Sequence, residues 1–146
     1  MFDNLERRTS TFLRKYPLTI AQRLRAHNKI IEKHLNVGEE IIYMFPAQKQ
    51  QGGPFSTCIV CCTDKRIIIG QKKVFPGYHI NSITPDLFND FQVYKGWIWG
   101  KVTIDTAKEI VTFTYIDSKA LVEIETALSE YFLTAKQKYL RAKKDD

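Results

Sequence analysis

Three cysteines lie within five positions of the sequence, at Cys58, Cys61 and Cys62. Cys58 and Cys61 have the C-x-x-C spacing of zinc ribbons and thiol oxidoreductases, in which a tight turn or a helix N-terminus points both sulfurs to one spot. Here the motif lies inside FSTCIVCCT, a stretch whose composition indicates a β-strand. Because side chains alternate between the two faces of a strand, Cys58 and Cys62 should point one way and Cys61 the other. We interpret all three as core residues and expect no metal site and no redox pair.

Basic residues flank the apolar run that follows the cysteines. The stretch TDKR before IIIG is typical of a tight turn, in which Thr63 or Asp64 bonds back to the backbone. Solvated turn charges are the simpler interpretation of this cluster, and contact with an anion or a lipid headgroup is the alternative. The cluster comprises Lys65, Arg66, Lys72 and Lys73.

A second basic group lies in LTIAQRLRAHNKIIEKHL, residues 18–35, whose three- and four-residue apolar spacing predicts an amphipathic helix. Its apolar face comprises Ile20, Leu24, His27, Ile31 and Leu35, and its basic residues are Arg23, Arg25, Lys29 and Lys33. The apolar face could dock on the rest of the domain and leave the charges in solvent. The helix could instead lie on an anionic membrane surface. Contact with nucleic-acid phosphates is a third interpretation, which no helix-turn-helix or RNA-stacking motif supports.

Two tryptophans occur in GWIWGKVTID. Read as a strand, this stretch places Ile98, Gly100, Val102 and Ile104 on a core face, and therefore Trp97 and Trp99 together on the opposite face. Two outward tryptophans need cover, because large exposed aromatic patches are uncommon on a monomer. The N-terminal helix, another chain or a ligand could supply it. The candidate interface is therefore Trp97 and Trp99 with the apolar side of the helix, Ile20, Leu24, Ile31 and Leu35.

The elements that carry these residues divide the chain into two parts. The 146 residues, 44% of them hydrophobic, are enough for one globular domain with a real core. Residues 1–36 hold eight Lys and Arg against three Asp and Glu, whereas residues 37–117 hold eight of each. We predict a basic amphipathic helical extension over 1–36 and a neutral, strand-rich domain over 37–146.

The sequence pattern of the second part is typical of an antiparallel meander followed by a helix. Turn residues separate seven runs rich in Ile, Val, Phe, Thr and Tyr, at about 39–48, 55–63, 66–71, 73–80, 87–95, 97–105 and 109–116. A helix is predicted at about 118–140, with its apolar stripe at Leu121, Ile124, Leu128, Tyr131, Ala135 and Tyr139. That stripe needs a sheet surface or an open barrel end to cover.

Several classes of protein find no support in the sequence. There is no run long enough for a membrane span and no signal-peptide core, and an odd, crowded set of cysteines suits a reducing compartment. We therefore expect a cytoplasmic protein, with the inner membrane face as the alternative location. Neither a nucleophile elbow, a phosphate loop, a dinucleotide fingerprint nor an H-E-x-x-H motif is present, so we expect no enzyme and no cofactor.

The order of the motifs resembles a known family. VGEEIIYMF, CIVCCTDKRIIIGQKK, HINSIT, GWIWGKVTIDT and ALVEIETALSEYF are similar in order and spacing to the bacterial pleckstrin-homology-like (PH-like) domains, most closely the YokE type. The likeness covers about residues 37–135. It implies a mainly β fold with α-helices, namely a seven-stranded partly open barrel, or two near-orthogonal antiparallel sheets, capped by the C-terminal helix. The N-terminal helical extension precedes this fold.

The same resemblance indicates a binding or scaffolding module rather than a catalyst. Eukaryotic relatives that bind phosphoinositides carry several Lys and Arg on the first two strands and their loop, whereas FPAQKQQGGPFST offers only Lys49. The sequence therefore argues against phosphoinositide-specific binding, and it argues against nucleic acid as a partner. Our leading hypothesis is a non-catalytic interaction module that binds a protein partner or itself. A peripheral membrane adaptor is the alternative hypothesis, and nonspecific nucleic-acid binding is the third.

Overall fold

The computed structural model describes residues 2–52, 56–74 and 76–145. Two helices come first, α1 (Phe2–Lys15) and α2 (Leu24–His34). Seven strands follow, and a last helix, α3 (Leu121–Asp145), ends the described chain. The strands are β1 (Ile41–Lys49), β2 (Thr57–Thr63), β3 (Ile67–Lys72), β4 (Tyr78–Ile83), β5 (Phe88–Lys95), β6 (Trp99–Thr106) and β7 (Ile110–Asp117).

The strands form one antiparallel sheet in the order β4-β3-β2-β1-β7-β6-β5. Two meanders, β1 to β4 and β5 to β7, meet where β1 pairs with β7 through only two residue pairs, Gln48 with Thr114 and Lys49 with Phe113. Strands β4 and β5 are the two edges, so the sheet is not closed. The predicted seven antiparallel strands with a C-terminal helix and preceding helices are confirmed.

One face of the sheet packs against α3. The stripe of that helix supplies Leu121, Ile124, Leu128, Tyr131 and Phe132, all nearly inaccessible to solvent, to a core that every strand joins. Its period follows the 3.6-residue repeat of a helix, which explains why the stripe is visible in the sequence. This inner core contains most of the buried aromatic rings.

The other face of strands β1 to β3 packs against α1 and α2. Leu5 of α1 and Ile31 of α2 are fully buried there, in a smaller core that also contains Ile41, Met44, Ile59, Cys61 and Ile68. Every residue of β2 is therefore buried, on whichever side it points. Burial on both faces accounts for a strand without the polar alternation of a half-exposed sheet.

Several element boundaries differ from those predicted. Strand β4 begins at Tyr78, whereas the fourth run was predicted from about residue 73, because Gly77 takes a left-handed conformation with φ 96° in the turn before the strand. Helix α2 starts at Leu24, because residues 18–22 are drawn out of the helix by hydrogen bonds to other elements. Helix α3 runs on to Asp145. Residues 53–55 of the predicted linker, and Phe75 of the predicted fourth strand, lie outside the described residues.

Candidate interaction surface

The three cysteines occupy two different cores. Cys58 and Cys62 lie in the inner core and Cys61 in the outer one, as strand alternation predicts. Burial raises the pKa of Cys58 and of Cys61 to about 12 and raises the pKa of Cys62 as well. A thiol is nucleophilic and binds metals as its thiolate. These side chains therefore act as small apolar groups that fill the space between sheet and helices.

Thr63 and Arg66 of the TDKR turn are engaged in hydrogen bonds within the chain. Thr63 Oγ1 accepts hydrogen bonds from the backbone amides of Lys65 and Arg66, both at 3.1 Å. Arg66 does not stay in solvent as expected, since its guanidinium folds back and donates two hydrogen bonds of 3.0 Å to Glu39. It also donates to the His34 carbonyl at 2.7 Å, which ties the end of α2 to the turn.

The carboxylate that receives Arg66 is fully enclosed. The Glu39 side chain is 0% exposed and that of Arg66 17%. Burial alone would raise the pKa of Glu39, but hydrogen bonds from Arg66, the Asn36 amide and Thr63 outweigh it and lower this pKa to about 2. The Arg66 guanidinium is therefore held in an internal ion pair with Glu39 and does not lie free in solvent.

The other basic candidates are spread over separate places. Lys65 lies 3.9 Å from Asp64, and Lys72 Nζ donates to the Gly77 carbonyl at 3.0 Å. Lys73 is exposed. Arg23 binds across to this strand end, donating to the carbonyls of Lys72 and Lys73 at 3.2 and 3.4 Å.

On α2, Arg25 pairs with Glu6 at 3.1 Å, whereas Lys29 and Lys33 are exposed. Arg23, Arg25, Lys65 and Lys72 thus have contacts within the chain, and a joint role of these cations in holding an anion or a lipid headgroup stays a prediction.

The residues of the predicted apolar helix face also differ in their surroundings. Ile31 is fully buried, and Leu24 and Leu35 pack against the outer core. Ile20 precedes the helix and remains 37% exposed. The docked helix therefore offers its apolar side to the sheet, and only the segment before it lies near the tryptophans.

The two tryptophans have different settings. Trp97 lies in the turn between β5 and β6 and is 98% exposed, whereas Trp99 begins β6 opposite Asp117 and is 38% exposed. The expected placement of Ile98 on the core face is wrong, because β6 starts at Trp99, two residues later than predicted, and Ile98 is 43% exposed in the turn. Its neighbours in the predicted pattern, Gly100 and Val102, do face the core.

Hydrogen bonds hold the segment between α1 and α2 along the end of β7. The Leu18 amide donates to Asp117 Oδ2 at 3.2 Å, and the Asp117 amide donates to Thr19 Oγ1 at 2.9 Å. The Ile20 amide then donates to the Tyr115 carbonyl at 2.9 Å. These bonds hold the Leu18 side chain, which is exposed, beside the first residues of β6.

Trp99 and Tyr115 lie beside Leu18, at the corner of the sheet where β6 begins and β7 ends. Trp99 Nε1 donates to the Leu18 carbonyl at 2.7 Å, and its ring meets the Tyr115 ring edge-on with centroids 5.5 Å apart. Tyr115 is a non-glycine residue with φ 57°, at a bulge between the Gly100 and Val102 register positions. A left-handed conformation costs an L-residue about 1 to 2 kcal/mol, and such residues cluster at functional sites.

We call this corner the aromatic surface, which comprises Leu18, Trp97, Ile98, Trp99 and Tyr115, all exposed by more than a third. A cleft of ≈ 330 Å³ adjoins it, lined by Gln50, Trp99, Gly100, Lys101, Thr114 and Tyr115. The indole nitrogen of Trp99 is already used within the chain, so the surface offers mainly ring faces and aliphatic groups. Such a surface is suited to apolar contact.

Sequence reasoning missed two members of the aromatic surface. Tyr115 lies in TFTYIDS, where the alternating pattern predicts an ordinary strand position and no residue type signals a left-handed backbone. Leu18 directly follows Pro17, just after the end of α1, but nothing in its neighbourhood indicates where the segment will lie. Both depend on contacts between residues almost a hundred positions apart.

Within residues 2–52, 56–74 and 76–145, no group of three or more His, Cys, Asp or Glu side chains is arranged to hold a metal ion. None of the helices in the described ranges is both long and apolar enough to cross a lipid bilayer.

Comparison with known proteins identifies the family to which the chain belongs. A model of the bacterial PH domain family matches residues 35–130. The crystal structure of a pleckstrin homology domain from Shewanella amazonensis SB2B is similar at 14% identity, covering 83% of this chain and 98% of that chain with a TM-score of 0.48. No curated protein matches the sequence. PH domains are generally non-catalytic and mediate protein or lipid interactions, and the narrower likeness to the YokE type stays a prediction. Because the family model spans well over half of its length, the chain belongs to the bacterial PH domain family.

Proposed function

We propose that this protein is a non-catalytic interaction module that binds a protein through the aromatic surface. The observation that carries the proposal is Trp97, a tryptophan 98% exposed in the turn just before Trp99, the first residue of β6. Tryptophan and tyrosine are enriched among the residues that contribute most to protein binding. Leaving such a side chain in water has no benefit for folding, so a partner that covers it is the simplest reason for its presence.

The frame of the surface supports this role. The Trp99 ring is held by its bond to the Leu18 carbonyl and by the Tyr115 ring, so two of the three aromatic side chains are already ordered before a partner arrives. Ordering a side chain on binding costs about 0.5 to 1.5 kcal/mol. Because the folded chain already orders these two side chains, binding loses less conformational entropy, and the surface binds more tightly for the same buried area.

The N-terminal extension contributes to the module by docking. Its buried Ile31 and half-buried Leu24 and Leu35 face the sheet, and its connecting segment brings Leu18 and Ile20 to the aromatic corner. We therefore propose that the extension shapes the binding surface, instead of serving as a free arm.

The alternative functions rely on charge alone. Lipid contact through residues 18–35 would use the exposed Lys29 and Lys33, without the apolar face that amphipathic helices insert between headgroups. Nucleic-acid contact would use the same cations. Neither has a convergent group of side chains comparable to the aromatic surface.

Site-specific photo-crosslinking in the cell tests the proposal. A photoreactive phenylalanine analogue replaces Trp97 in one variant and Ile110 in the control, which is an exposed apolar residue (61%) at the opposite end of β7. We expect a discrete protein adduct from position 97 and none from position 110. Adducts that are equal at both positions, or absent at position 97, contradict the proposal. The mass of the adduct identifies the partner as another protein or a second copy.

A further inference from the structure

Helix α3 carries opposite charges on its two halves. Residues 121–130 contain three Glu and no basic residue, whereas residues 131–144 contain Lys136, Lys138, Arg141, Lys143 and Lys144 and no acidic residue. The 25 residues of the helix form one continuous rod of about 37 Å, at 1.5 Å per residue. The division therefore places a negative patch and a positive patch at opposite ends of one element.

The face of α3 that points away from the sheet is also partly apolar. Val122, Leu133 and Leu140 are 64%, 61% and 62% exposed. They lie opposite the stripe that fills the inner core, since Leu128 and Tyr131 on that stripe are buried. The two leucines are seven residues apart, about two turns, so they form a short line along the outer side of the helix.

Charged residues flank that line on both sides, with an acid and a base on each. Glu125 and Lys143 are eighteen residues apart, about five turns, so they share one flank. Glu130 and Arg141 are eleven residues apart, about three turns, and share the other. All four side chains are exposed, and none of them makes an ion pair within the described ranges.

We propose that α3 binds α3 of a second copy of this chain in an antiparallel, two-fold arrangement, an inference that goes beyond the proposed role of the aromatic surface. A two-fold axis brings the same flank of each helix together and reverses its direction. The acidic half of one copy then faces the basic half of the other, with Glu125 toward Lys143 and Glu130 toward Arg141. The exposed leucines pack along the seam.

Charge complementarity is the reason for choosing a second copy as the occupant. An anionic bilayer would match only the basic half and would be repelled by Glu125 and Glu130. A reversed copy matches both halves at once. Because the contact involves one helix per protomer, its area is at the small end of specific interfaces, and we expect a weak, reversible dimer that dissociates as salt rises.

Paired charge-reversal variants of the full chain test this arrangement in sedimentation equilibrium. One variant carries Glu125→Lys and Glu130→Lys, and the other carries Arg141→Glu and Lys143→Glu. We expect the unmodified chain to dimerise, each variant alone to associate at least about tenfold more weakly, and the equimolar mixture to recover the dimer. Circular dichroism of each variant verifies that it is folded, which is expected because all four positions are on the surface.

Three results would overturn the proposal. These are a chain that stays monomeric at low salt, variants that each associate as the unmodified chain does, and a mixture no heavier than its components. Binding of a monomeric chain to anionic phosphatidylglycerol vesicles, lost in the Arg141→Glu and Lys143→Glu variant, would assign the basic half to a membrane instead. Repeating the series with Trp97→Ser, which leaves α3 unchanged, separates this dimer from any association through the aromatic surface.

Discussion

Helices cover the two faces of the sheet in different ways. On the inner face, α3 contributes a continuous apolar stripe, and its Phe132 ring stacks on Phe88 with centroids 4.9 Å apart. On the outer face, α1 and α2 contribute chiefly Leu5 and Ile31, and polar bonds fasten their ends. The inner helix is thus held by apolar area, whereas the outer helices depend more on a few hydrogen bonds and charges.

The polar bonds that fasten the outer layer to the sheet include those of three side chains, Arg8, Arg66 and His27. Arg8 donates to the Ile41 carbonyl at 3.1 Å, Arg66 to the His34 carbonyl at 2.7 Å, and the Lys72 amide to His27 Nδ1 at 2.8 Å. Each joins a helix to a strand or its adjoining turn. We therefore expect the outer layer to respond to charge changes and pH, and the inner layer to respond mainly to packing.

The largest expected difference between the two layers is in the cost of adding a methyl group to a glycine beneath each one, Gly100 beneath α3 and Gly70 beneath α2. A methyl group at Gly100 would lie 2.7 Å from the Tyr94 carbonyl and 2.5 Å from Leu121 Cδ2, whereas one at Gly70 would overlap only side-chain atoms, chiefly of Ile31. Backbone cannot move aside as a side chain can, so Gly100→Ala should cost about 3 kcal/mol of unfolding free energy and Gly70→Ala about 1 to 2. Urea unfolding followed by circular dichroism measures both.

The double variant Gly70→Ala with Ile31→Ala serves as the control. Removing the Ile31 side chain makes room for the new methyl group, so the loss should be smaller than the sum of the two single losses. The comparison fails if the losses of unfolding free energy add up in the double variant, or if Gly70→Ala and Gly100→Ala cost the same. Either result would show that α2 and α3 do not differ in how closely they approach the sheet.

The ion pair of the outer layer gives an intermediate effect. Arg66→Ala leaves the enclosed Glu39 carboxylate without its partner and removes the bond to the His34 carbonyl, at a cost of about 2 kcal/mol. Lys65→Ala, at the exposed neighbour, should cost less than about 0.5 kcal/mol. Hydrogen exchange should show faster opening of α2 in the Arg66 variant while the α3 amides remain protected. Equal acceleration in both helices would contradict a separable outer layer.

The smallest expected effect is a pH dependence that comes from His27. Burial, followed by the nearby Arg23 charge, lowers the pKa of His27 from 6.5 to about 4 in the folded chain. Protons therefore bind the unfolded state first, so stability should fall as pH drops from 6.5 toward 4, by about 1 kcal/mol over the first pH unit. His27→Gln keeps an acceptor for the Lys72 amide and should flatten this slope.

His79→Gln is the matched control for that measurement, because His79 is exposed on β4. It should leave the slope between pH 6.5 and 4 as in the unmodified chain, as measured by urea unfolding at a series of pH values. If instead His79→Gln flattens the slope and His27→Gln does not, the docking of α2 is not the source of the pH dependence.

The local patterns of the chain predicted much of the fold. Alternation placed Cys58 and Cys62 apart from Cys61, and the 3.6-residue repeat marked Leu121, Ile124 and Leu128 as a buried stripe. These features depend only on neighbours a few residues away, which the sequence displays directly. The candidate surface was predicted in part, since Trp97 and Trp99 do lie outside the core, but in two different settings.

Propensity and periodicity are short-range properties, so the amino-acid order alone shows which residues are apolar, how they repeat and where turns must come. Three features depend instead on the folded domain: Arg66 turns inward to Glu39, Tyr115 adopts a left-handed backbone, and residues 18–20 lie along β7. Each of these depends on a partner between 27 and 99 residues away along the chain. Such partners are selected by the packing of the whole domain, because a hydrogen bond or a ring contact forms only where the fold brings both groups together.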